Sequence, residues 1–322
     1  MRRRRRQGIL AGLAMAVAFA GPAGAQVAGF DPADYGKAQL PSRQSTGDAA
    51  KFIDSNRGAF EPVAELDPRD PLYALARPVG RLDVVLRNQK TGQEVGSSCT
   101  GELIAGDYVL TNHHCLPQSG DLRPVKASLL MDYLTLDGKG SKRFDVEPSP
   151  QEFSAKLDFA VAKVSGGAVA EFGSVRLVAA SPEGARSLLV IHHPLGRPKV
   201  MSRFRCLALK EQAEGAELRH RCDTLGGSSG SLLYAMGSEG VALHKEGGLD
   251  PADTTSFNTA TRMSAILAES KVLQAAVATA GADAPPAPKA ADRGGDDPMK
   301  STPLGSSGGL DTGQMNSILR GQ

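Results

Sequence analysis

Across 322 residues the chain carries 37 Lys and Arg against 35 Asp and Glu, and only 5% of it is aromatic, with no tryptophan. Five of the arginines, Arg2 to Arg6, crowd the N-terminus; without them 32 basic residues face 35 acidic ones, a net charge near −3. No basic stripe interleaved with aromatics is left, which excludes the footprint of a nucleic-acid binder.

In chain order, the arginines lead into an apolar run over residues 9–20 and then Gly21-Pro-Ala-Gly-Ala25, where Ala23 and Ala25 form an A-x-A cleavage pattern. The run is broken by glycine and is shorter than the roughly 18 residues of a membrane span. Residues 1–25 are therefore expected to be an export signal, leaving no membrane anchor after cleavage and a chain in the periplasm or the medium. Residues 26–75, with scattered Pro, Asp, Gly and Ser and little apolar periodicity, read as an N-terminal extension or pro-segment poor in core.

A domain is expected over residues 76–273. Short apolar runs at 81–86, 108–111, 159–164, 188–191 and 241–243 are separated by Gly, Pro, Asn and Asp, a spacing that predicts an all-β barrel or sandwich. Met263, Ile266, Leu267 and Val272 approximate helical spacing and predict one helix over residues 262–273. Residues 274–322, rich in Ala, Pro, Gly and Asp, read as a disordered low-complexity tail.

The four cysteines fall in the central region as Cys99 and Cys115, then Cys206 and Cys222. An even count in an exported chain predicts two disulfides, and the residues alone permit three pairings. A zinc site would need an element such as C-x-x-C or H-E-x-x-H, and neither occurs, so no metal is expected.

Three segments join a reactive side chain to an apolar strand: Tyr108-Val-Leu-Thr-Asn-His-His-Cys115, Lys156-Leu-Asp-Phe-Ala-Val-Ala-Lys163 and Cys222-Asp-Thr-Leu-Gly-Gly-Ser-Ser-Gly-Ser-Leu-Leu-Tyr234. Acyl transfer on an amide needs a hydroxyl nucleophile, a base near neutral pKa, a carboxylate to orient that base, and N–H donors for the oxyanion. The segments offer all four. Chemistry alone does not separate His113 from His114, and Asp158 could equally cap a strand.

Together, and in this order, the segments resemble those of the trypsin-like (chymotrypsin-fold) serine peptidases over residues 76 to about 270. Thr111-Asn-His-His-Cys115 is similar to the family's T-A-A-H-C, Asp158-Phe-Ala-Val161 to D-I-A-L, and Gly227-Ser-Ser-Gly-Ser231 to G-D-S-G-G. The resemblance implies two six-stranded antiparallel barrels with a C-terminal helix, and peptide-bond hydrolysis of protein or peptide substrates without a cofactor. It makes His114 the base, Asp158 the orienting carboxylate, Ser229 the nucleophile, the N–H groups of Gly227 and Ser229 the oxyanion hole, and Cys99 the partner of Cys115. A second copy of the serine motif, Gly305-Ser-Ser-Gly-Gly309, lies in the tail with no strand to hold its geometry, and Ser307 is read as linker.

The spacings of Thr224 and His244 from Ser229 resemble those of bacterial glutamyl endopeptidases, which implies that both bind a Glu side chain while Gly247 lines the substrate main chain. Asp223, where trypsin has its acidic pocket residue, implies Arg or Lys instead. The alternatives from other classes are an esterase using the same serine, and a catalytically inactive binding module on the same fold. The chain departs from the family at Ser228, where digestive members have the acidic residue that receives a new N-terminal amine, and at Leu232 in place of proline. His192 and His193, in a strand running into a turn, read as structural or surface residues.

Overall fold

The computed structural model describes residues 28–40, 47–180, 186–210, 215–235, 239–249 and 253–282. The expected export signal, the tail beyond residue 282 and the Ser307 copy of the serine motif lie outside the described residues.

Two sheets make up the fold. In the first the strands lie in the order Lys142–Asp145, Leu122–Met131, Val79–Asn88, Glu94–Ile104, Tyr108–Thr111, Phe159–Lys163 and Glu152–Ser154, all antiparallel, with Ala28–Phe30 also paired to Glu94–Ile104. The second runs Glu217–His220, Asn258–Arg262, Glu239–Glu246, Leu232–Ala235, Leu188–His192, Val200–Ser202 and Glu61–Pro62. There the two-residue strand Arg176–Leu177 pairs in parallel with Glu239–Glu246. Among the described residues each sheet has eight strands against the six expected, and one strand in each comes from the N-terminal segment.

Alternation along the strands distributes the core. In the first sheet Leu82, Val84, Val109, Ala160 and Ala162 join one apolar cluster, while their neighbours Leu110, Phe159 and Val161 turn the other way. In the second, Val190, Leu233 and Ala242 form a cluster of their own, while Ile191, Leu232, Tyr234 and Leu243 turn away from it. Residues that turn away from both sheets' own clusters meet in a third, between the sheets. Successive side chains on a strand point to opposite faces, so a strand buried on both sides serves two cores at once. Each fully buried Leu or Val there contributes roughly 1.5–3 kcal/mol.

The N-terminal segment takes part in this packing more than its composition suggests. Phe30 and Phe60 are each only 2% exposed, and Phe60 forms a small cluster with Ile53, Leu195 and Val200. The C-terminal helix is broken in two, Met263–Glu269 and Lys271–Ala282. Ser270 between them is extended, its Oγ accepts from the Leu273 N–H at 3.1 Å, and Glu152 Oε2 accepts from the Val272 N–H at 3.1 Å. A serine that caps a helix start also interrupts the helix before it. The second helix runs past the expected domain end at residue 273, and its Ala276 is buried in the intersheet core. Among the described residues no helix is long and apolar enough to cross a membrane.

Candidate active site

Strand pairing brings the first two segments together. Thr111 is in register with Ala160, so the chain leaving Tyr108–Thr111 and the chain entering Phe159–Lys163 share one edge of the first sheet. His114 lies three residues beyond that strand and Asp158 one residue before the other. Asp158 Oδ2 is 2.8 Å from His114 Nδ1, and Oδ1 accepts from the His114 backbone N–H at 3.0 Å. The Asn112 amide donates to the Asp158 carbonyl at 2.8 Å, which ties the two loops a third time. Asp158 itself has φ +52°, a left-handed conformation that Asp tolerates better than a branched residue.

A carboxylate on Nδ1 makes that nitrogen the protonated one and leaves Nε2 as a bare acceptor. His114 Nε2 has no hydrogen-bond partner among the described residues. The neighbouring His113 is differently engaged: its Nε2 accepts from the Gln118 N–H at 3.2 Å and its ring stacks on Phe153 at 5.3 Å. Burial lowers the His113 pKa, with the Asp158 charge opposing the shift.

The turn carrying Ser229 is shaped by two glycines with positive φ, Gly227 at +94° and Gly230 at +88°. A Cβ on Gly230 would lie 2.2 Å from the Thr100 carbonyl and 2.3 Å from Thr111 Oγ1, and one on Gly227 would lie 2.7 Å from the His193 carbonyl. The turn is fastened to both sheets. From the first, Thr100 donates its N–H to the Ser229 carbonyl at 2.8 Å and its hydroxyl to the Gly227 carbonyl at 2.9 Å. From the second, the His244 carbonyl accepts from the Gly230 N–H at 3.1 Å. Neither the Gly227 nor the Ser229 N–H donates a hydrogen bond among the described residues, so both remain open to an oxyanion.

Residues 99–243 match the family model described as the trypsin-like peptidase domain. The chain carries a trypsin-like peptidase domain. It is accordingly a serine endopeptidase in class. Among solved structures the peptidase is similar to the active form of the M. tuberculosis protease Rv3671c at 15% identity, covering 63% of this chain and 85% of that one with a TM-score of 0.46. It is also similar to a Glu endopeptidase at 16% identity, covering 67% and 94% with a TM-score of 0.46. A third is the HtrA-type protease AlgW, at 12% identity, covering 66% and 64% with a TM-score of 0.48. No curated protein matches the sequence.

Two disulfides flank the candidate site, Cys99–Cys115 beside His114 and Cys206–Cys222 beside Asp223 and Thr224, the sequential pairing. One group of metal-ligand atoms is found among the described residues, Cys99, Cys115 and His114, and both its sulfurs are spent in a disulfide. In an exported chain such bonds suit an oxidising compartment.

The residues expected to set specificity gather near the strand Asn258–Arg262. Asn258 Nδ2 donates to Thr224 Oγ1 at 3.0 Å and to the Cys222 carbonyl at 2.7 Å, while its Oδ1 accepts from Gly248 and Leu249. Gly247 borders the same spot, since a Cβ there would lie 4.0 Å from Thr224 Oγ1. His244 Nδ1 is 3.1 Å from His220 Nε2, and His220 Nδ1 accepts from the Cys222 N–H at 3.2 Å. Counting protons along that row makes His220 Nε2 the donor and His244 Nδ1 the acceptor, so the His244 proton sits on Nε2. Burial, followed by the His114 charge, holds the His244 pKa down to about 3. Asp223 is half-buried; burial raises its pKa and the Arg205 charge opposes this.

His220 and Asn258 do not stand out in the sequence. Their partners are a backbone N–H, a threonine and a second histidine, and only the pairing of Glu217–His220 with Asn258–Arg262 brings these together. His192 and His193 are fully buried, so of the two readings the structural one holds and the surface one does not. His193 Nδ1 lies 2.9 Å from the Arg197 carbonyl and its ring stacks on Tyr133.

Proposed function

We propose that the protein is an exported endopeptidase that cleaves peptide bonds through Ser229, His114 and Asp158 and prefers Glu before the scissile bond. The observation that carries the catalytic part is the double hold of Asp158 on His114 with Nε2 left unpartnered. Ser229 Oγ attacks the carbonyl carbon while His114 Nε2 takes its proton, and the Gly227 and Ser229 N–H groups receive the oxyanion. The imidazolium, held by Asp158, then gives that proton to the departing amine. Water repeats the cycle on the acyl-enzyme and frees Ser229.

The Glu preference rests on the donors of the pocket. With its oxygen accepting from Asn258, the Thr224 hydroxyl keeps its proton for a substrate acceptor, and the His220–His244 row leaves a proton on His244 Nε2. A carboxylate accepts only, so two donors suit it. Arg205 offsets the Asp223 charge that a basic substrate would need. Export is supported by the A-x-A pattern at Ala25 and by the two disulfides.

A fluorophosphonate should label Ser229 of the wild-type chain, with the site mapped by mass spectrometry, and labelling should be lost in His114→Ala. Equal labelling of that variant overturns the triad. A peptide library should be cut after Glu; cutting after Arg or Lys removes the Glu reading and leaves the enzyme class intact.

A further inference from the structure

The turn that carries the nucleophile has an anchor outside the catalytic groups. Ser228 stands where the family resemblance implies an acidic residue, and it is fully buried. Its Oγ lies 2.7 Å from Nδ1 of the fully buried His192. On the other side of the ring, His192 Nε2 is 3.1 Å from Ser202 Oγ, and that hydroxyl donates to the Ala59 carbonyl at 2.6 Å.

Proton counting fixes the direction of the row. Ser202 has one hydroxyl proton and gives it to a carbonyl that can only accept, so its oxygen accepts from His192 Nε2–H. His192 Nδ1 is then bare and accepts the Ser228 proton, and the Ser228 oxygen accepts the Leu225 N–H at 3.1 Å. Every polar atom along the row is satisfied without a charge. Burial holds the His192 pKa at about 3, so the ring stays neutral at any working pH.

A second contact places the N-terminal segment on the same structure. The buried Arg81 donates to the carbonyls of Lys37, Ala38 and Gly196. Gly196 ends the short turn that begins at Pro194, and the Leu195 N–H of that turn donates to the Gly226 carbonyl. The segment thus reaches the nucleophile turn by two routes, one through Ser202 and His192 and one through Arg81 and Gly196.

We propose that His192 is a positioning residue: by holding Ser228 and reaching the Ala59 carbonyl through Ser202, it keeps the Gly227 and Ser229 N–H groups in their working arrangement without a newly cleaved N-terminus. The N-terminal segment is then a working part of the peptidase. This rests on the reading of Ser229 as nucleophile, so the test includes a readout that needs no catalysis.

Four variants of the full chain are compared with wild type: His192→Ala, His192→Asn, Ser228→Ala and the double variant His192→Ala with Ser228→Ala. An Asn Oδ1 can take the place of Nδ1 and accept from Ser228, so His192→Asn keeps the bond that matters. In His192→Ala, kcat should fall about 100-fold with KM little changed, the loss expected when oxyanion donors are misplaced. His192→Asn should recover most of it, and the double variant should be no worse than either single one. Amide hydrogen exchange over residues 225–231, measured in a Ser229→Ala background, should quicken in His192→Ala and not in His192→Asn. Wild-type exchange and kcat in His192→Ala overturn the proposal, as do equal losses in His192→Ala and His192→Asn. Quickened exchange in a chain whose wild type takes no fluorophosphonate on Ser229 upholds the anchor and sinks the nucleophile reading instead.

Discussion

Across the gap between the sheets the Tyr234 hydroxyl donates to Glu102 Oε2 at 2.8 Å, and the Leu232 N–H donates to Oε1 at 2.9 Å. Burial raises the Glu102 pKa to about 8, the two hydrogen bonds and the nearby Lys199 charge only partly opposing it. Between the unfolded value of 4.5 and this one, the folded chain keeps a proton that the unfolded chain has lost. Stability therefore falls as pH rises through that window, by about 1.4 kcal/mol per pH unit for this one group. A glutamine offers the same carbonyl to Leu232 and an amide to Tyr234, so Glu102→Gln should remove that slope. Urea titrations at several pH values measure it, and equal slopes in both chains would count against the shift.

The paired bonds from Asp158 to His114 make Asp158→Asn informative. An asparagine oxygen can still accept the backbone N–H, but its NH₂ then faces Nδ1 and favours the wrong tautomer. We expect kcat to fall about 10⁴-fold with the fold intact. Steady-state kinetics with a circular dichroism control measure this, and a loss under tenfold would refute the assignment.

At Gly230 an alanine would meet backbone and side chain at 2.2 and 2.3 Å in a left-handed conformation. Gly230→Ala should cost more than about 2 kcal/mol and abolish activity, because Thr100 and Thr111 belong to the first sheet and have little room to give. A melting temperature equal to wild type would show that the turn is looser than its contacts suggest.

The Cys206–Cys222 bond closes a short loop whose second end begins the wall bearing Asp223 and Thr224. Replacing both cysteines by serine should destabilise by about 3 kcal/mol in the loop-entropy account. It should also raise KM more than it lowers kcat. Denaturant unfolding tests the first statement and kinetics the second; an unchanged KM would separate the bond from substrate binding.

Thr224→Val keeps the shape but removes one donor together with the oxygen that accepts from Asn258. For a substrate with Glu before the cleaved bond, kcat/KM should drop between about 10- and 100-fold, the worth of a hydrogen bond to a charged group. For the matching Gln substrate the drop should be smaller. Equal losses on both substrates would place Thr224 in support of the wall rather than in contact with the carboxylate.

How much of this could be read from sequence depended on distance along the chain. His114 and Asp158 each lie within three residues of an apolar strand, and strand pairing alone brings them together. Ser229 is flanked by glycines whose positive φ the motif demands. The partners of His192, by contrast, are 36 and 10 residues away and are plain serines, so nothing local marks it. The strands Ala28–Phe30 and Glu61–Pro62 were illegible for another reason. They are three and two residues long, too short for periodicity, and their anchoring comes from single aromatic side chains, Phe30 and Phe60. The break at Ser270 left a signal, a capping serine inside a helical pattern, which apolar spacing alone passes over.

The two pairings of the N-terminal segment also set an order of events. Ala28 pairs with Ser98, and Pro62 with Val200, so the part of the chain made first waits for partners 70 and 138 residues downstream. Contacts of such separation form late. Ala59 gains its bond to Ser202 only once that second pairing is in place, so a growing or partly threaded chain has no braced nucleophile turn. On the proposed role of His192, the nucleophile turn is braced only when the N-terminal segment is seated on the second sheet.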